Sequence, residues 1–75
     1  MGIAVKMQHE LEELLSAGAS LELSAKGKLA HQLVDLAKCA KRGGSQLTLS
    51  DLGLLLQNQL IDIARAGAGH VTLRD

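Results

Sequence analysis

No phenylalanine, tryptophan or tyrosine occurs among the 75 residues, although 47% of them are apolar. The core must therefore be aliphatic, built from Leu, Ile, Val and Ala, and the composition is that of a globular chain. The missing rings also weaken two functional readings, because single-stranded nucleic acid is gripped by stacking on aromatic rings and protein hot spots favour Trp and Tyr. Cysteine is scarce as well: Cys39 has no partner for a disulfide, which fits a reducing compartment or an indifferent one. Neither sign of charge prevails, since eight Lys+Arg balance eight Asp+Glu, so no net field draws the chain to nucleic acid or to an anionic membrane. No apolar run approaches the ~18 residues of a membrane span. The start "MGIAVKMQHE" acquires charge too early for a secretory signal, and Lys6 stands where a myristoylation motif has Ser or Thr. The expectation is a soluble, cytoplasmic chain with neither membrane nor nucleic acid as partner.

What the sequence does contain is one phrase written more than once. Gln32-Leu33-Val34-Asp35-Leu36-Ala37 aligns with Gln59-Leu60-Ile61-Asp62-Ile63-Ala64, and Glu10-Leu11-Glu12-Glu13-Leu14-Leu15 falls in the same register as a fainter copy. Each copy has helical periodicity. Met7, Leu11, Leu14 and Leu15 share one helix face, as do Leu29, Leu33, Leu36, Ala37 and Ala40, and Leu56, Leu60, Ile63 and Ala64. Glycine stops are expected at Gly18, at Gly43 with Gly44, and at Gly67 with Gly69. Behind each stop stands a short alternation, "SLEL", "QLTL" and "HVTL", which turns Leu21/Leu23, Leu47/Leu49 and Val71/Leu73 one way and their neighbours the other, as in strands.

Strands separated by helices pair in parallel through right-handed crossovers. The predicted fold is an α/β domain in the order helix-strand-helix-strand-helix-strand: three tandem units, about 1–23, 24–49 and 50–75, giving a small parallel sheet with helices packed against it. A competing reading makes "GIAV" a further strand and shortens the first helix. One domain is all that this length accommodates. A chain so short buries only roughly 60% of its unfolded surface and usually needs reinforcement. With disulfides excluded, self-association is the simplest source.

The stretch "LTLSDLGLLLQNQLIDIARAGAGHVTL" resembles a leucine-rich-repeat-type α/β solenoid unit. Leu47, Leu49 and Leu52 follow the family's L-x-L-x-x-x-L pattern once one residue of spacing is allowed, and Ser50 or Asp51 would serve where the family places Asn or Cys. The resemblance covers residues 20 to 75. It implies a protein-binding or assembly surface without catalysis, and it transfers no functional residue by position.

Three groups of residues invite a chemical reading. In "LELSAKGKLAHQ" a strand runs into a basic turn and then a helix, the order of a phosphate loop, so Ser24, Lys26, Gly27 and Lys28 form a candidate anion site. Glu22 and Leu29 break the full motif, and the plainer expectation is an N-cap at Ser24 followed by a solvated turn. The aligned pairs His9/Glu13, His31/Asp35 and Asn58/Asp62 would form a ladder across stacked helices, extended by Cys39 in the middle one. His31 and Cys39 lie about 12 Å apart along a helix, too far to close on one ion, and no base stands beside the thiol. No cofactor, metal or enzymatic activity is therefore expected.

Charge alternates along the chain: residues 1–23 carry one Lys and four Glu, residues 24–46 five Lys+Arg and one Asp, residues 47–75 two Arg and three Asp. Glu10, Glu12 and Glu13 are expected to face Lys38, Lys41 and Arg42. Neither end of the stack has the polar terminal unit that repeat arrays normally carry, and "HVTLRD" leaves an edge strand at the end of the sequence. The expected function is a protein-interaction or self-assembly module working through that edge or an uncapped repeat end. Its partner would be a second copy, or a protein or peptide that adds a strand. The interface residues are His70, Val71, Leu73 and Arg74, with Leu47 and Leu49 in the central strand. The alternative is anion or nucleic-acid binding through Lys26, Lys28, Lys38, Lys41 and Arg42.

Overall fold

A computed structural model describes residues 7–74. The order is α1 (Gln8–Ser16), β1 (Leu21–Ser24), α2 (Ala30–Gly43), β2 (Leu47–Ser50), α3 (Gln57–Gly67) and β3 (Val71–Leu73), as the sequence predicts. The strands form one sheet in the order β1-β2-β3, both pairs parallel. Leu21, Leu47 and Val71 stand in one row and Leu23, Leu49 and Leu73 in the next. Because each strand neighbours the last and crossovers share one hand, the helices lie on a single face of the sheet. The strand reading of "GIAV" falls outside the described residues.

The core lies between the two layers. Leu11, Leu15, Leu33, Leu36, Leu47, Leu49 and Ile63 have no solvent exposure, so the aliphatic pattern does place its leucines inside. Two close approaches set the spacing of the helices. Gly43, the last residue of α2, lies against the end of α1, where an added Cβ would sit 2.0 Å from the Leu15 carbonyl oxygen. Buried Ser45 then donates its hydroxyl to that same oxygen at 2.9 Å, tying the α2–β2 turn to α1.

The helix ends differ from expectation at several places. Met7, Leu29 and Leu56 are N-cap residues, not members of the core stripe, and they remain 65%, 61% and 64% exposed. No Ser, Thr, Asp or Asn caps these helices in the preferred way. Instead the side chain three residues on reaches back: the N–H groups of Met7, Leu29 and Leu56 donate to Glu10 Oε1, Gln32 Oε1 and Gln59 Oε1 at 2.9, 2.9 and 2.8 Å. Half of a capping box thus recurs at "MQHE", "LAHQ" and "LQNQ". At the other ends, Gly43 and Gly67 are still helical. The left-handed residues that end α2 and α3 are Gly44 (φ 68) and Ala68 (φ 47).

Candidate interaction surface

Parallel pairing determines which backbone groups each strand spends. Leu21 N–H donates to Gln46 O and Ala25 N–H to Ser50 O, so β2 turns residues 46, 48 and 50 toward β1. Leu47 N–H donates to His70 O and Arg74 N–H to Leu49 O, so β2 turns residues 47 and 49 toward β3, which answers with 70, 72 and 74. By the same alternation, the peptide groups of Val71 and Leu73 point away from the sheet, along an edge that no other described strand pairs with. Residues 20, 22 and 24 do so on the opposite edge, which likewise has no partner among the described residues.

Burial falls off at this C-terminal edge. In one inward row Leu23 and Leu49 are buried while Leu73 is 38% exposed, and in the other Val71 is only half-buried beside fully buried Leu47. The helix layer repeats the trend. Val34 of α2 is half-buried and packs against the core, whereas Ile61, at the matching position of α3, is 39% exposed. Ala64, expected on the buried stripe, is exposed. Val71 and Leu73 therefore lie on the outer strand of the sheet, at its less buried side.

The two other residues assigned to that edge are tied inward. His70 Nδ1 lies 2.9 Å from Ser45 O, and since a carbonyl can only accept, this nitrogen carries the proton. Arg74 reaches across β2 to pair with Glu22 of β1 at 2.6 Å, on the face of the sheet opposite the helices. Gln46 Nε2 donates to Thr72 Oγ1 at 2.8 Å on that face. These bonds order the sheet surface and leave the edge itself to backbone and aliphatic side chains.

The ladder of aligned pairs is assembled in part. Ala30, His31, Val34, Asp35 and Lys38 of α2 line an open groove with Asn58, Gln59 and Asp62 of α3, so two of the three pairs meet. On α1, Glu13 lines a shallow hollow with Glu10, Leu14 and Ala17. Cys39 is not an extension of the row; it is buried in the core. Among the described residues no cluster of three or more metal-capable side chains occurs. Nor does any ion pair among them join Glu12 or Glu13 to Lys38, Lys41 or Arg42; Glu12 instead accepts from Gln8 Nε2 at 2.8 Å.

Ser24, Lys26 and Lys28 do line one pocket, with Leu23. Its amides, however, are mostly spent. Lys26 N–H donates to Ser24 Oγ at 3.1 Å, Lys28 N–H to Ala25 O, Ala25 N–H to Ser50 O and Leu29 N–H to Gln32 Oε1. Ser24 does not cap α2, which begins six residues later; its hydroxyl donates to Asp51 Oδ2 at 2.6 Å and closes the turn against the next one. The remaining cations of the middle unit are dispersed. Lys38 lines the α2–α3 groove, while Lys41 and Arg42 occupy the last turn of α2, where they complement the helix dipole.

No family model, curated protein or solved structure matches the chain, so geometry alone carries the functional argument. One surface was missed at the level of sequence. The exposed N-cap residues Met7, Leu29 and Leu56, with Leu54 at 94% exposure, occupy the starts of helices and the loop before α3. The recurrent four-residue phrase of an apolar residue followed at the third position by Glu or Gln was the available signal.

Proposed function

We propose that this chain is a non-enzymatic interaction module, a small α/β repeat that associates with a second copy of itself through its C-terminal edge. The observation that supports this reading is the loss of burial at the last inward position: Leu49 is fully buried and its neighbour Leu73 is 38% exposed, beside unspent peptide groups. An open edge of this kind is a template for strand addition. The single thiol, buried in the core, fits the reading of a reducing, cytoplasmic setting. The scattered cations give less support to anion binding, which needs phosphates held by a contiguous patch.

The test is sedimentation of the purified chain over a concentration series from micromolar to millimolar, with circular dichroism to check folding. A rise in mass with concentration, diminished by Leu73→Lys, is expected. A chain that stays folded and strictly monomeric throughout would remove the proposal.

A further inference from the structure

We infer that the copy received at the C-terminal end is bound by the N-terminal end of the next chain, so that copies join head to tail. This rests on the self-association proposed above and specifies its geometry. Three independent features of the two ends agree. The first is the phase of the backbone. Within the molecule each parallel joint pairs residues of the inward phase on the earlier strand (21, 23 and then 47, 49) with residues of the outward phase on the later one (46, 48, 50 and then 70, 72, 74). The peptide groups that no other described strand pairs with belong on β3 to Val71 and Leu73, of the inward phase, and on β1 to residues 20, 22 and 24, of the outward phase. Placing β1 of one chain beside β3 of another continues the same ladder, with Val71 opposite Leu21 and Leu73 opposite Leu23.

The second feature is apolar fit. Leu36 of α2 and Ile63 of α3 are fully buried, each with a helix before it. Leu14, their counterpart on α1, is only half-buried and lines an open hollow with Ala17. The projecting partner is supplied at the other end by Ile61, whose counterpart Val34 already packs against the core where α3 follows α2. The third feature is charge. In the α2–α3 groove Lys38 of the earlier helix and Asp62 of the later line the same surface. The matching positions at a head-to-tail joint are Arg65 and Glu13, of opposite sign and in the same order. A contact related by two-fold symmetry, β3 against β3, would instead set Arg65 and Ile61 toward their own copies and leave the α1 hollow and the β1 edge unused. Heterologous contacts of the inferred kind do not close unless the rotation between copies happens to complete a ring, so they build open chains.

The experiment uses the full chain and two variants that block one end each, Leu14→Lys and Ile61→Lys. For the wild type, the mass in sedimentation velocity should climb past the dimer without a plateau. Each variant alone should associate at least about tenfold more weakly, since an ammonium would have to be buried without a partner. Mixed in equal amounts, they should form a heterodimer and nothing larger, because one intact joint remains. As a pair that leaves the apolar surface untouched, Glu13→Arg and Arg65→Glu should each weaken association by roughly fivefold, and the mixture or the double variant should restore it. A dimer plateau unaffected by Leu14→Lys and Glu13→Arg but lost in Ile61→Lys would overturn the head-to-tail geometry and leave self-association standing. A wild type that remains monomeric to millimolar concentration would overturn both.

Discussion

Gly43→Ala should destabilise this protein even though Ala is the better helix former. At an interior helical position the exchange favours the helix by about 0.8–1 kcal/mol, and less than this at the last residue, where Gly43 stands. Against that gain stands a contact the backbone cannot absorb. The new Cβ would lie 2.0 Å from Leu15 O and 2.7 Å from Ser16 O, both backbone atoms of α1. Ordinary contact begins at 3.4 Å, so the helices must separate by about 3.4 − 2.0 = 1.4 Å. Such a shift breaks the 2.9 Å bond from Ser45 Oγ to Leu15 O and opens space around Leu11 and Leu15. Overpacking costs about 1–3 kcal/mol and the lost hydrogen bond about 0.5–1.5. Net destabilisation should be about 2–3 kcal/mol, a large share of the roughly 4–11 kcal/mol that a chain of 75 residues commands. Urea unfolding should show the midpoint falling by about 2–3 M if the slope is near 1 kcal/mol/M. Gly53→Ala is the control: nothing lies within 4 Å of its Cβ, and it should be neutral or stabilising by up to about 1 kcal/mol. A Gly43→Ala midpoint equal to or above the wild type would show that α1 and α2 do not meet at this glycine.

Ala68→Gly should stabilise by about 0.5–1 kcal/mol, because the alanine that ends α3 holds φ at 47, a conformation that costs an L-residue about 1–2 kcal/mol while Gly gives back part of that through chain entropy; an unchanged thermal midpoint would contradict the assigned cap. Ser45→Ala should cost about 1 kcal/mol in urea unfolding, since Leu15 O keeps its bond from Gly18 N–H and loses only the hydroxyl. Inorganic phosphate at millimolar concentration should leave the wild type and Lys26→Ala with the same thermal midpoint, because the amides of residues 25, 26, 28 and 29 are already paired. A phosphate-dependent rise lost in Lys26→Ala would restore the anion site.

Element order, parallel pairing and the place of β3 at the end of the sheet were legible because each depends on short patterns that survive at the level of sequence: period-2 leucines, helical leucine faces and glycines between them. The helix starts were not. Met7, Leu29 and Leu56 occur at the spacing of a core stripe, yet an N-cap lies where the chain enters the helix and its side chain need not face the sheet. Ser24 carried the right chemistry for a cap but stands six residues before the helix begins, and its hydroxyl is drawn to Asp51 instead. The pairing of His31 and Asp35 with Asn58 and Asp62 followed from equivalent positions on adjacent helices, a geometry that alignment of the copies exposes. The Arg74 to Glu22 pair joins residues 52 apart and depends on strand order and on a side chain long enough to cross β2, which no local pattern records.

The joints inside the chain and the joint inferred between chains use similar surfaces but cannot have similar strength. Within one molecule β2, which follows α2 in the chain, reaches α3 through a six-residue connection between Ser50 and Gln57, and bringing such close segments together costs little chain entropy. Two separate molecules must give up translational and rotational freedom, at a cost estimated at 4–15 kcal/mol or more. The faces available to offset that cost are small: a three-residue strand, Ile61 and Leu73 at 39% and 38% exposure, and one exposed ion pair worth about 0–1 kcal/mol. In the proposed assembly, complementarity of phase, shape and charge would therefore fix the geometry, while the modest area would set the affinity low. Because only the folded form presents these faces, assembly of the proposed kind would also stabilise the fold at high concentration by mass action, and a neighbouring copy would then reinforce a short aliphatic core.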